Sequence, residues 1–109
     1  MKFLMSQEEF ENLLGRGENV TDTPPFTIVY FTATWCGACR NLNLTRIIYE
    51  TPEVNWLKCD IDQNDYTAGY CGIRSIPTFL CIKNKKVVGT LQSVNDDEVI
   101  KWANSKCRS

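Results

Sequence analysis

The stretch that decides the fold is FTATWCGACRNL, from Phe31 to Leu42, in which two cysteines lie three positions apart. An apolar, β-branched run leads into it, and a helical pattern follows it. Cys36 and Cys39 therefore lie where a buried strand ends and a helix begins. A pair at this spacing can clip a metal ion, form a structural disulfide or exchange electrons with other thiols.

Length and composition describe an ordinary globular chain. The 109 residues predict one domain over 1–109, and 43% hydrophobic with 23% charged residues is typical of such a domain. A net charge of −1 argues against nucleic acid and against an anionic membrane as partners. No apolar run reaches the ~18 residues that a membrane helix needs.

The N-terminus indicates the redox compartment in which the six cysteines are expected. The first ten residues, MKFLMSQEEF, contain too short an apolar run for a secretory signal. We therefore expect a cytoplasmic protein, or one of an organellar matrix, where thiols are kept reduced. In that setting we disfavour a disulfide framework among the six cysteines. Cys59 and Cys81 lie within apolar runs and are predicted to be packing residues.

Hydrophobic periodicity predicts the element order βαβα followed by ββα. Ser6 and Asn95 are predicted N-caps, each with a glutamate three residues later. A parallel crossover, a hairpin and a closing helix indicate one mixed sheet covered on both sides by helices, an α/β fold. The predicted strands are 2–5, 27–33, 54–62, 77–82 and 87–91, and the main helical patterns start near residues 7, 36, 63 and 96.

The position of the cysteine pair suggests a mechanism. Cys36 is expected at or near a helix N-cap and Cys39 in the first turn, within disulfide range. Free N–H groups and the positive end of the helix dipole then favour the thiolate at Cys36. That thiolate attacks a disulfide in a partner, and the deeper Cys39 attacks Cys36 to release the reduced partner.

The two other uses of the pair fit less well. A structural zinc site needs four ligands, and the chain has no histidine and no second C-x-x-C. We therefore expect no metal. A structural disulfide closing so short a loop would restrict the unfolded chain very little.

At this point a family resemblance is visible. WCGAC resembles the WCGPC active site of thioredoxins, and IVYFTATWCGACR, LKCDIDQN and YCGIRSIPTFLCIKN follow in that family's order. The likeness extends over about residues 3–107. It implies the thioredoxin fold, with one mixed central sheet flanked by helices on both faces, and a protein-disulfide reductase.

The resemblance assigns roles to the residues of the motif. Cys36 matches the attacking cysteine and Cys39 the resolving one, with Gly37 and Ala38 between them. Trp35 matches the exposed tryptophan beside the site. Ala38 replaces the usual proline and supplies an extra N–H, so we expect a somewhat more oxidising pair.

Further matches lie outside the motif. Pro77 matches the cis-proline that faces the disulfide, although an X–Pro bond read from sequence alone would be trans. Ile76 would flank the same groove. Lys58 matches a lysine beneath the active site. An alternative for Lys58 is a strand lysine whose stem packs and whose ammonium reaches water.

Two departures from the family pattern change expectations. Tyr30 stands where thioredoxins usually bury an aspartate beneath the resolving cysteine, and a phenol is a poor base at neutral pH. Proton removal from Cys39 would then fall to water, to Cys36 as it leaves, or to another group. Leu44 replaces a proline that kinks the second helix, so we expect that helix to run straighter.

Two cysteines remain outside these assignments. Cys71 is expected in a loop bordering the site, as an unreactive half-buried thiol or as an oxidisable one. Cys107 is expected near the surface, where it could form an intermolecular disulfide.

The leading functional prediction is therefore a thiol-disulfide oxidoreductase acting on disulfide-containing proteins, as a monomer and without a bound cofactor. No dinucleotide-binding motif is present, so a thioredoxin reductase or glutathione would supply the electrons. The alternative is a binding module that uses the same groove with incidental redox activity. A secretory oxidant or isomerase is disfavoured by the absence of a signal peptide and of a retention tail.

Overall fold

A mixed sheet forms the middle layer of the fold in residues 1–16 and 24–108, the part of the chain that this computed structural model describes. Its strands are β1 (Lys2–Phe3), β2 (Phe26–Thr32), β3 (Asn55–Asp60), β4 (Thr78–Lys83) and β5 (Lys86–Gln92), in the order β1-β3-β2-β4-β5. The α-helices of the fold are α1 (Gln7–Leu13), α2 (Leu44–Tyr49), α3 (Asp65–Tyr70) and α4 (Asp96–Arg108). A 3₁₀ helix spans Ala38–Asn41. The predicted α/β fold is confirmed, although the observed order, βαβαβα followed by ββα, has one βα unit more than the predicted order.

Strand β2 lies at the centre of the sheet, parallel to β3 and antiparallel to β4. All of its residues are buried, because successive side chains face opposite layers. Ile28 and Tyr30 belong to an apolar cluster covered by α2 and α4, and Val29 and Phe31 to one covered by α1 and α3. The continuous apolar run in the sequence is thus explained by helices on both faces.

Strand register brings three chain segments to one edge of the sheet. Phe31 of β2 pairs with Thr78 of β4, and Thr32 pairs with Asp60 of β3. Residues just after β2, just after β3 and just before β4 therefore meet there. Cys36 and Pro77 both lie at this edge.

The predicted helix caps are present, with one difference at Ser6. The Glu9 N–H donates to the Ser6 hydroxyl at 3.2 Å, but the Glu9 carboxylate accepts from the Met5 N–H instead of from Ser6. The Glu98 N–H donates to Asn95 Oδ1 at 3.0 Å. The predicted loop over 16–25 falls mostly on residues outside the described part. No described helix is long and apolar enough to span a bilayer.

The helix predicted from Cys36 to about Glu50 is interrupted. After the 3₁₀ helix, Leu42 is extended with ψ of 133°, and α2 starts only at Leu44. The expectation of a straighter helix is therefore wrong. The cause is Asn43, whose side chain accepts the Arg46 N–H and whose own N–H donates to Asp96 Oδ1 at 2.9 Å. A side-chain cap and a partner on another helix have replaced the helical ladder.

Helix α2 is anchored to its surroundings at both ends. At its start, Arg46 forms ion pairs with Glu50, Asp96 and Asp97. At its end, the buried Thr51 hydroxyl donates to the Ile47 carbonyl at 2.6 Å and accepts from Trp56 Nε1 at 2.8 Å. The second contact ties α2 to β3.

Replacing Thr51 by valine keeps the side-chain shape and removes both hydrogen bonds. Because Trp56 Nε1–H is then buried without a partner, we expect Thr51→Val to lower the free energy of unfolding by about 1–3 kcal/mol. Urea unfolding followed by far-UV circular dichroism measures this. In a Trp56→Phe background, which has no indole N–H, the same substitution should cost clearly less. Equal costs in both backgrounds would contradict the assigned bond.

Candidate active site

The two cysteines of the motif form a disulfide. Cys36 and Cys39 are bonded through their sulfur atoms, and their Cα atoms lie 5.3 Å apart, within the range usual for disulfides. The bond closes the segment between the end of β2 and the 3₁₀ helix. Gly37 is the N-cap of that helix and Ala38 its first residue. Both are exposed, and a Cβ added at Gly37 would meet no neighbour within 4 Å.

One backbone donor points at the first sulfur. The Cys39 N–H donates to Cys36 Sγ at 3.1 Å. The expected dipole of a long helix is not available, because the helix beneath the site is a 3₁₀ helix of only four residues. Stabilisation of a Cys36 thiolate would therefore come from this local N–H.

The relative depth of the two sulfurs differs from the prediction. Cys36 is 4% exposed and Cys39 is 7% exposed, so burial does not make Cys39 the deeper residue in the oxidised state. What distinguishes them is their environment. Cys36 precedes the 3₁₀ helix and receives the N–H bond, whereas Cys39 lies within the helix.

Trp35 projects beside the disulfide and is 63% exposed. Its indole Nε1–H donates to Asp62 Oδ2 at 2.8 Å, and the Asp62 N–H donates to Asp60 Oδ1 at 2.9 Å. Sequence reasoning missed this pair of aspartates. The available signal was their position, Asp60 at the end of β3 and Asp62 two residues beyond it. β3 is the parallel neighbour of the strand that leads to Cys36.

A groove of about 270 Å³ opens next to Trp35. Ile76 is half-buried in its wall, and Pro77 follows with a cis peptide bond, as the family resemblance predicts. The Thr78 hydroxyl donates to the Ser75 carbonyl at 2.6 Å and so fixes the turn before β4. The groove is lined by Trp35, Ile61, Ile73, Arg74, Ser75 and Ile76.

Tyr30 lies on β2, two residues before the end of that strand, and is 1% exposed. It belongs to the same apolar cluster as both cysteines and stacks on Phe79, with ring centroids 5.1 Å apart. Burial raises the pKa of Tyr30 above its ordinary value, and a hydrogen bond with the Thr32 side chain opposes this rise. The phenol is therefore protonated at neutral pH and is no proton acceptor there.

Lys58 is half-buried on β3, in register with Tyr30 on one side and with Phe3 on the other. Its Nζ lies 5.5 Å from the centroid of the Phe3 ring, which is a cation–π distance. This placement favours the interpretation as a strand lysine with a packed stem. A role for Lys58 in the site stays a prediction.

Two of the remaining cysteines are packing residues, as predicted. Cys59 and Cys81 are fully buried. Burial raises the pKa of Cys59 to about 12 and that of Cys81 to about 11. Both thiols are therefore protonated, and hence poor nucleophiles, at neutral pH.

The other two cysteines are unpaired and partly buried. Cys71 is the C-cap of α3 and lines a second groove with Phe10 and Leu14, two residues before Ile73 of the groove beside Trp35. Its expected place bordering the site stays a prediction. Burial raises the pKa of Cys71 to about 11. Cys107 is half-buried and its thiol donates to Glu53 Oε2 at 2.9 Å, a bond that raises the pKa of Cys107.

Comparisons with known proteins agree with this geometry. The family model Thioredoxin matches residues 3–105. Mitochondrial thioredoxin-3 of Saccharomyces cerevisiae is 31% identical over 94 residues, which cover 84% of this chain and 68% of that protein.

Solved structures show the same fold. Fasciola hepatica thioredoxin superimposes with a TM-score of 0.81 at 31% identity, covering 96% of this chain and 98% of its own. A chain from a structure on thiol resolving in yeast mitochondrial 1-Cys peroxiredoxin via glutathione and thioredoxin systems gives 0.82 at 27% identity, covering 96% and 94%. With a matching family model, a shared fold and a bonded C-x-x-C pair, the chain belongs to the thioredoxin family of protein-disulfide oxidoreductases.

Proposed function

We propose that this protein reduces disulfides in other proteins, with Cys36 as nucleophile and Cys39 as resolving cysteine. The observation that carries the proposal is the Cys36–Cys39 disulfide, with an N–H bond to Cys36 Sγ, beside an open groove. A pair that forms this bond can give up two electrons to a partner and be restored by another reductant.

The electron balance follows from two exchange steps. The Cys36 thiolate attacks one sulfur of the partner's disulfide, which breaks that bond and releases the partner's other sulfur as a thiolate. Cys39 then loses its proton and attacks Cys36 Sγ, which releases the first partner sulfur. The partner gains two electrons, and the protein is left with its own disulfide.

Residues around the pair would hold the partner during these steps. The exposed Trp35 and the half-buried Ile76 give the groove apolar walls. The cis bond before Pro77 turns the backbone at the same edge of the sheet. Gly37 and Ala38 are exposed at the top of the site and leave room for an approaching chain.

The setting of the reaction is part of the proposal. A thioredoxin reductase, or glutathione, would supply electrons, and the partners would be disulfide-containing proteins. Residues 1–109 would act as one thioredoxin domain and as a monomer, in the cytoplasm or in an organellar matrix. Unpaired thiols at Cys59, Cys71, Cys81 and Cys107 support a reducing compartment.

Substituting the two active-site cysteines tests the proposal. Insulin reduction with dithiothreitol should fall to background in Cys36→Ser, because the nucleophile is gone. Cys39→Ser should accumulate mixed disulfides that non-reducing electrophoresis detects. Cys71→Ser and Cys107→Ser are matched controls and should keep the wild-type rate. An inactive parent chain would favour the alternative, a binding module with incidental redox activity.

Replacing Tyr30 by phenylalanine tests the proton route. Because the raised pKa keeps the phenol protonated, we expect Tyr30→Phe to keep the insulin-reduction rate within about twofold from pH 6 to 9. The Cys39 proton would pass to water or to the leaving Cys36 sulfur. A loss above tenfold with unchanged thermal stability would instead make Tyr30 a participant in proton transfer.

Position 38 tests the expected effect of the extra N–H. Ala38 begins the 3₁₀ helix, a position that accepts proline. We expect Ala38→Pro to make the pair more reducing by up to about 30 mV, the equivalent of one hydrogen bond. Equilibration with glutathione measures this. Ala38→Ser keeps the N–H and should not shift the potential, and a shift towards oxidising in the proline variant would refute the effect.

A further inference from the structure

Two arginines border the active site and have no carboxylate partner within residues 1–16 and 24–108. Arg74 lies in the wall of the groove beside Trp35 and is exposed. Within the described ranges 1–16 and 24–108, its guanidinium makes neither a hydrogen bond nor an ion pair. A free guanidinium on the wall of a binding groove leaves all five of its N–H donors for a bound partner.

The second arginine lies next to the resolving cysteine. Arg40 follows Cys39 in the 3₁₀ helix and is exposed. Its Nη2 donates to the Thr34 carbonyl at 3.1 Å, which holds the guanidinium close to the backbone that carries Trp35. Its other N–H groups meet no carboxylate in the described part of the chain. Arg40 is thus positioned but not neutralised.

The two arginines at the site differ from Arg46 in their partners. Arg46, by contrast, is paired with Glu50, Asp96 and Asp97. The exposed Asp62 near the site has one oxygen engaged by the Trp35 indole. Asp62 keeps its negative charge, because the indole N–H is neutral. What the rim offers an acidic partner is therefore the unengaged N–H donors of Arg40 and Arg74 and not a net positive charge.

We propose that the site prefers disulfides whose cysteines are flanked by glutamate or aspartate. This preference rests on the proposed function, since it concerns partners of the same Cys36. An acidic side chain next to the attacked cysteine would meet Arg74 in the groove wall or Arg40 beside Cys39, while an apolar neighbour would lie on Ile73 and Ile76. Exposed ion pairs are weak, so each arginine should change the rate by about two- to fivefold.

The test uses two disulfide-linked peptides that differ only in glutamate or glutamine on both sides of the cysteine. The rate constant for their reduction by the pre-reduced protein is measured at low and at high salt. The glutamate peptide should react faster, by two- to fivefold for each arginine that contributes. High salt should remove most of this ratio, because surface charges are screened.

Variants assign the preference to the two arginines. Arg74→Gln should lower the glutamate-to-glutamine rate ratio, and Arg74→Glu should invert it. When Arg40→Gln is combined with Arg74→Gln, the ratio should fall further. Arg40→Lys keeps the charge and should preserve the ratio. Lys86→Gln is the matched control: it removes one charge at the opposite end of the sheet, in the β4–β5 hairpin, and should leave the ratio unchanged.

The possible results separate the two proposals. If the wild-type chain reduces neither peptide faster than Cys36→Ser does, the proposed function is overturned, and this preference with it. If both peptides are reduced at equal rates, or if the ratio survives Arg40→Gln/Arg74→Gln, the disulfide reductase stands and the acidic preference is overturned.

Discussion

The complete burial of β2 is the constraint on which the rest of the structure depends. Its seven residues are shielded on both faces, which requires helices in both outer layers and neighbours on both edges. β2 tolerates a nearly continuous apolar run because it is a central strand whose two faces are both covered. Where it ends, the chain leaves the core and bends back within a few residues. The disulfide lies in that bend, so β2 places Cys36 at the end of the sheet, where its side chain is still buried.

Hydrogen bonding, and not burial, distinguishes Cys36 from the other buried cysteines. Cys59 and Cys81 stay protonated because an apolar environment penalises the thiolate. Cys36 is equally shielded in its oxidised form, but a backbone N–H is directed at its sulfur. The core therefore contains protonated thiols as well as the sulfur proposed as the nucleophile. What distinguishes that sulfur is the Cys39 N–H donor beside it. Tyr30 is likewise buried and neutral, and it stacks on Phe79 in the cluster that contains both cysteines.

The sequence predicted features that depend on local patterns and missed those that depend on distant partners. The strands, the caps at Ser6 and Asn95 and the cysteine pair follow from spacing and residue type. The cis bond before Pro77 came from family resemblance. The break at Asn43 did not, because its cause, Asp96, lies 53 residues further along the chain. The bond from Trp35 to Asp62 likewise joins two strand ends that only the sheet register brings together.

The contact between Asn43 and Asp96 also connects the start of α4 to the segment that contains the cysteine pair. Asn43 is four residues from Cys39, and its backbone is held by the first residue of α4. The segment that contains Cys39 is thus attached to the central strand β2 on one side and to the C-terminal helix α4 on the other. A displacement of that helix start, by a ligand or a neighbouring chain, would be transmitted through two residues of backbone to the 3₁₀ helix that holds Cys39.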